Sequence, residues 1–178
     1  MRALLYTTIW ASMIALGLSE WTRRGRGRWG RRRAFLVSAG GLTLLVTHIA
    51  IAIVDHHGGD HAAAVAETAR LTEAVYGVAW GAGVYVNYAF VATWAAYLWW
   101  WQRRMDVVID SRSVPVLVLR CLLFVLIVNA LVVFASPLTR PLGVSICAVL
   151  LWAWRPVVGR QELMTSRSSA TSTVRSRT

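Results

Sequence analysis

An all-α membrane protein, a bundle of about five transmembrane helices with short loops, is the fold class this sequence predicts. Three observations carry it. Five apolar runs of helical length follow one another, 57% of the residues are hydrophobic, and most of the arginines lie in short segments beside or between the runs. A mean hydropathy of +0.52 is too high for an ordinary soluble domain. The 178 residues leave room for several spans, but not for a large soluble domain as well.

A hydrocarbon core of about 30 Å takes roughly 20 residues of helix. The first span is expected over residues 3–21, and no charge occurs from 3 to 19. A retained helix fits better than a cleaved secretory signal, because only Arg2 precedes the run while seven arginines follow it. The second span is expected over 34–54. The third, over 74–101, lies in a stretch without charge between Glu73 and Arg103, about 43 Å of helix that would have to tilt or protrude. Trp99, Trp100 and Trp101, followed by Arg103 and Arg104, anchor its far end at an interface. Pro115 suits the first turn of a fourth span, 115–135, in which Arg120 either snorkels to headgroups or pairs with a neighbouring helix; snorkelling is the expectation. Pro137 and Pro141 bracket a turn before the fifth span, 142–158, whose Trp152 and Trp154 mark an interface. Residues 1–164 thus form the transmembrane domain. Residues 165–178, nearly all Ser, Thr and Arg, make a disordered basic cytoplasmic tail.

Charge sets the expected topology. The net charge is +11, and all 19 basic residues are arginines. Arg23, Arg24, Arg26, Arg28, Arg31, Arg32 and Arg33 crowd between the first two runs. Such a cluster resists translocation, which places it in the cytoplasm among anionic lipid headgroups. Five spans with the N-terminus outside and the C-terminus inside then leave only Arg2, Arg70 and Arg140 outside. A prokaryotic cell (inner) membrane is the expected location. A pI near 11.3 would suggest nucleic acid in a soluble protein. Beside apolar runs, the lipid bilayer is the more economical partner, and nucleic acid is not expected. Cys121 and Cys147 lie in apolar runs without a CxxC partner and read as buried, inert thiols.

Two groups of residues carry chemistry. Asp55, His56, His57, Asp60 and His61, with His48 on the preceding span, form the one ligand-like cluster. Imidazole and carboxylate suit a divalent transition metal, and Gly58–Gly59 would let the chain wrap an ion. Against this stands a plain solvated turn. Asp60 is expected to cap a helix starting at His61. Haem is disfavoured, because only His48 lies well within a span and a bis-His site needs ligands at matching depth. The second group is intramembrane: His48 and Asn129, each about 9 Å below its helix end, with Asn87, Tyr85, Tyr88, Thr43, Thr47 and Ser145. Such groups either bond across helices or line a pathway. No carboxylate is expected within any span, which argues against a proton pump built on Asp or Glu. Gly77 and Gly81, with Ala79 and Gly83, give small-residue pairs on the third helix, expected to serve packing within the chain.

No phosphate loop, nucleophile elbow or HExxH motif occurs. The leading functional expectation is a non-catalytic accessory or scaffold subunit of a membrane complex, with other membrane proteins as partners. A small-solute or metal-ion carrier using the histidine cluster is the alternative. A membrane-embedded metal or haem redox protein is the third.

Overall fold

The computed structural model describes residues 2–23, 28–104 and 113–155, and among these it contains helices and turns but no strand. Six α-helices organise it: α1 (Arg2–Arg23), α2 (Arg28–Ile51), α3 (His61–Tyr76), α4 (Val84–Arg103), α5 (Val114–Val128) and α6 (Arg140–Ala153). Short π-helical segments extend α2 through Ala52–His56 and α5 through Asn129–Val133. Successive long helices run in opposite directions. One end of the bundle therefore carries His56, His57 and the turn after α5, and the other carries Arg23, Arg103 and Trp154. These are called the histidine end and the arginine end below.

Three helical stretches are long and apolar enough to cross a membrane: Ala3–Arg23, Gly30–His56 and Val114–Val133. The 20 residues of α4 have the length, but its tryptophans and tyrosines, apolar bodies with polar tips, leave it less hydropathic than those three. Helix α6, apolar but only 14 residues long, spans about 21 Å.

The core forms where α1, α2, α4, α5 and α6 meet, around Met13, Leu16, Trp94, Leu123, Ile127 and Leu150, all fully buried. Two glycines permit the closest approaches. A Cβ at Gly41 would stand 3.1 Å from Ala15 Cβ, Ser12 O and Trp94 Cη2, so α2 touches the α1 backbone there and leaves room for the Trp94 indole of α4. Ser12 Oγ donates to Gly41 O at 2.7 Å across the same contact. A Cβ at Gly143 would overlap the Leu131 carbonyl, so α6 seats its backbone directly on the π segment of α5.

The third span departs from the sequence expectation. Helix α3 stops at Gly77, whose φ of 74° closes a left-handed cap with its N–H on Glu73 O at 2.8 Å. Thr72 Oγ1 then accepts from Trp80 N at 2.9 Å and folds the turn back on α3. The apolar stretch 74–101 is therefore a helix end, a tight turn and a new helix, and α4 has no 43 Å length to tilt away. Of the small residues expected to pair on one helix, Gly77 is the cap and meets nothing within 4 Å, and only Gly81 and Gly83 pack closely on the rest of the chain. Their seat is the 3-10 turn Gly81–Gly83, where added Cβ atoms would press on Val65 and Thr68 of α3 at 2.7 and 2.8 Å.

Other boundaries shift by less. Helix α2 begins at Arg28, so Arg31, Arg32 and Arg33 lie on its first turns rather than in a loop. Pro115 occupies the first turn of α5 as expected, and Pro141 the first turn of α6, where its missing N–H costs nothing. Helix α6, where the fifth span was expected, thus begins at Arg140 and ends before Arg155. Residues 165–178, with Arg24 and Arg26, lie outside the described residues.

Candidate functional site

At the arginine end a polar lock joins four helices. Glu20 of α1 is fully buried. Its Oε1 accepts from Tyr97 Oη of α4 at 2.9 Å, and its Oε2 accepts from Trp154 Nε1 at 2.7 Å and from Arg23 Nε at 2.6 Å. Arg120 of α5, only 3% exposed, donates from Nη2 to Tyr97 Oη at 3.4 Å. Its guanidinium carbon lies 5.9 Å from the ring centroids of both Tyr97 and Trp154, within cation–π range.

This lock corrects three expectations. Arg120 does not snorkel: the aromatic walls of Tyr97 and Trp154 and the nearby Glu20 charge give it partners inside the bundle. A carboxylate does lie within a membrane-length helix, because α1 runs past Ser19 to Arg23 and buries Glu20 on its inner face. The interfacial tryptophans divide. Trp101 is fully buried in the core, whereas Trp99 stays half exposed beneath Arg103, with the guanidinium 5.2 Å from its ring centroid. Trp154 is part of the lock, and Trp152 stacks on Trp21 at 4.5 Å. The i,i+3 pair Glu20–Arg23 was the sequence signal for this cluster: an acid one turn before a base on one helix face.

At the histidine end the structure opens. Asp60 caps α3 as expected, accepting from Ala62 N at 2.8 Å, and Gly58 and Gly59, at φ 61° and 78°, reverse the chain before it. Helix α3 then crosses the ends of the other helices. Its first residue, His61, packs on Tyr85 and Tyr88 of α4, with ring centroids 5.7 and 6.2 Å away. Its last, Tyr76, donates from Oη to Asn129 Oδ1 of α5 at 2.7 Å and meets Phe134 edge-on.

Beneath this roof lies a cavity of about 580 Å³. His48 from α2, Asn87 from α4 and Asn129 from α5 all line it, together with Thr68 and Tyr76 of α3. Three residues read from the sequence as one intramembrane constellation are thus brought to one wall. His48 Nδ1 lies 3.0 Å from Leu5 O and 3.2 Å from Thr8 Oγ1 of α1. A carbonyl can only accept, so the proton sits on Nδ1 and leaves Nε2 as an acceptor in the neutral ring. His48 also borders two smaller cavities. One, of about 80 Å³, holds His57 and Tyr88; the other, of about 390 Å³, holds His56 and Glu67.

The remaining members do not join this wall. Thr43 and Thr47 bond back to Ala39 O and Thr43 O of their own helix. Ser145 bonds to Pro141 O and lines a separate apolar groove between α1 and α6.

The histidine cluster is less convergent than its spacing suggests. His56 and His57 pack edge to face at 4.8 Å, and His61 turns to the α4 tyrosines. The i→i+5 bonding of Ala52–His56 rotates Asp55 off the α-helical register it would share with His48. Among the described residues no three of His, Cys, Asp or Glu come together as a metal site. Glu67 is held by Arg70, which donates to both its oxygens at 2.6 and 2.8 Å. Those bonds, with the positive charge of Arg70 and the nearby His56 and His57, hold the Glu67 carboxyl below the ordinary glutamate range.

Comparison with protein-family models, with curated proteins and with solved structures finds no match for this chain.

Proposed function

We propose that this chain is a multi-pass membrane protein that acts without catalysis, as an accessory or scaffold subunit of a membrane complex. In this reading α1, α2, α4, α5 and α6 cross the bilayer, the short α6 with local thinning. The arginine end faces the cytoplasm and anionic headgroups, and the histidine end, roofed by α3, faces outward. The observation that supports the non-catalytic role is the polar lock. Both oxygens of buried Glu20 are taken by Tyr97, Trp154 and Arg23, so this fully buried carboxylate is engaged in holding helices together. Cross-linking in native membranes, followed by isolation in a mild detergent, tests the role. Recovery in a defined complex with another membrane protein is expected. A solitary monomer that moves a solute across reconstituted vesicles would overturn it.

A second reading, a small-solute carrier, is favoured by the cavity that gathers His48, Asn87 and Asn129. Solute uptake reduced by substitution of these three side chains, but not of His56 and His57, is its expected signature.

A further inference from the structure

The cavity at the histidine end has the size and lining of a ligand site. About 580 Å³ falls within the range that holds a drug-sized molecule. Its walls are mainly apolar and aromatic, from Leu45 and Phe90 on the core side to Trp80 and Phe134 at the rim. Among the described residues that line it there is no Asp, Glu or Arg. A charged guest would leave water without a counter-charge there, at a cost of several kcal/mol.

The polar groups sort by what they can still do. Asn129 has committed Oδ1 to Tyr76, and its amide N–H groups remain as donors. The Asn87 side chain makes no hydrogen bond to any described residue and offers both a donor and an acceptor. His48 has committed Nδ1 to Leu5 O, and Nε2 remains as an acceptor. Two amide donors, brought by two helices, suit a carbonyl on the head group, and the imidazole acceptor of a third helix takes a hydroxyl where the head carries one.

We propose that this cavity binds an uncharged amphiphile, its carbonyl- or hydroxyl-bearing head held by Asn87, Asn129 and His48 and its apolar body lying between Phe90, Leu45 and the rim aromatics. Tyr76 latches the roof, because its bond to Asn129 Oδ1 ties the end of α3 to α5 while the Asn129 N–H groups stay free for the head. The inference rests on the membrane-spanning reading. Two sources offer the same chemistry: a neutral membrane lipid of the monoacylglycerol type and a freely diffusing lipophilic carbonyl compound of the quinone type.

The test uses the full chain in lipid nanodiscs and two radiolabelled probes, 1-monooleoylglycerol and a decyl-substituted benzoquinone. Oleate, with the same chain as the first probe but an anionic head, serves as competitor. Saturable binding of at least one probe at one per chain is expected, and which probe binds identifies the source. Oleate should compete at least tenfold less well than the neutral probe. Replacing both amides (Asn87→Leu with Asn129→Leu) should weaken binding about tenfold or more, the loss of two head-group hydrogen bonds. Tyr76→Phe leaves the packing of α3 nearly intact and should speed probe release and uptake. Non-saturable uptake of both probes would overturn the proposal, as would equal competition by oleate or unchanged affinity and exchange in all these variants. Alkaline carbonate extraction of the wild-type chain separates the two levels. Retention in the membrane with no saturable binding sinks the ligand site alone, whereas release sinks the membrane reading and the site with it.

Discussion

Trp154, just beyond the last helix, donates its indole N–H to Glu20 of the first at 2.7 Å, joining residues 134 apart in sequence. That bond closes the bundle. It places the shared acceptor of Tyr97, Trp154 and Arg23 at a point where α1, α4 and the end of α6 converge, with Arg120 of α5 stacked alongside.

Removing the acceptor is therefore worse than removing one donor. Glu20→Ala removes the acceptor shared by buried Tyr97, buried Arg23 and half-buried Trp154, and should lower stability by about 3 kcal/mol. Trp154→Phe loses one bond to a charged acceptor while keeping most of the packing, and should cost about 1.5 kcal/mol. Thermal unfolding in detergent, followed by tryptophan fluorescence or scanning calorimetry, checks the order. Equal melting temperatures for Glu20→Ala and wild type would contradict it.

Gly143 gives a second prediction. Because its Cα rests on the Leu131 carbonyl, even Gly143→Ala must push α6 away from the π segment. A loss of about 2 kcal/mol is expected. Gly40→Ala, where an added Cβ meets nothing within 4 Å, is the control and should be neutral or slightly stabilising. Thermal melts of the two variants compare them directly.

The Glu67–Arg70 pair makes a pH prediction on α3. The folded carboxyl titrates below its unfolded value, so the stabilising contribution of the pair is full above the ordinary glutamate range. It fades as pH falls through the depressed folded value. Carboxyl carbon shifts of Glu67 should show a midpoint below that of an unpaired glutamate, and Arg70→Gln should move it upward. The pair is largely exposed, so the melting temperature at neutral pH should change little.

Much of this architecture could be read from the chain. Uncharged runs gave the helical class, Pro115 marked the start of α5, and Asp60 marked the cap of α3. The grouping of His48, Asn87 and Asn129 followed from their depth along separate helices. Three features were harder to read, each for a physical reason. The break at Gly77 was masked because Gly77 to Gly83 is as apolar as a span, and hydropathy does not register a positive φ. Arg120 looked like a snorkelling residue and Glu20 drew no notice, since their mutual arrangement depends on which helices become neighbours. The histidines looked convergent because local spacing says nothing of a π segment that rotates one side chain away from the next.

In the proposed topology arginine charge orients a membrane-spanning bundle with the histidine end outside. Impermeant maleimide labelling of single cysteines in intact cells measures that orientation, in a background where Cys121 and Cys147 are replaced by Ser and Ala. Gly59→Cys should react in intact cells, and Arg104→Cys only after the membrane is opened. Labelling of Arg104→Cys in intact cells, with Gly59→Cys protected until lysis, would turn the bundle the other way up and overturn the proposed topology.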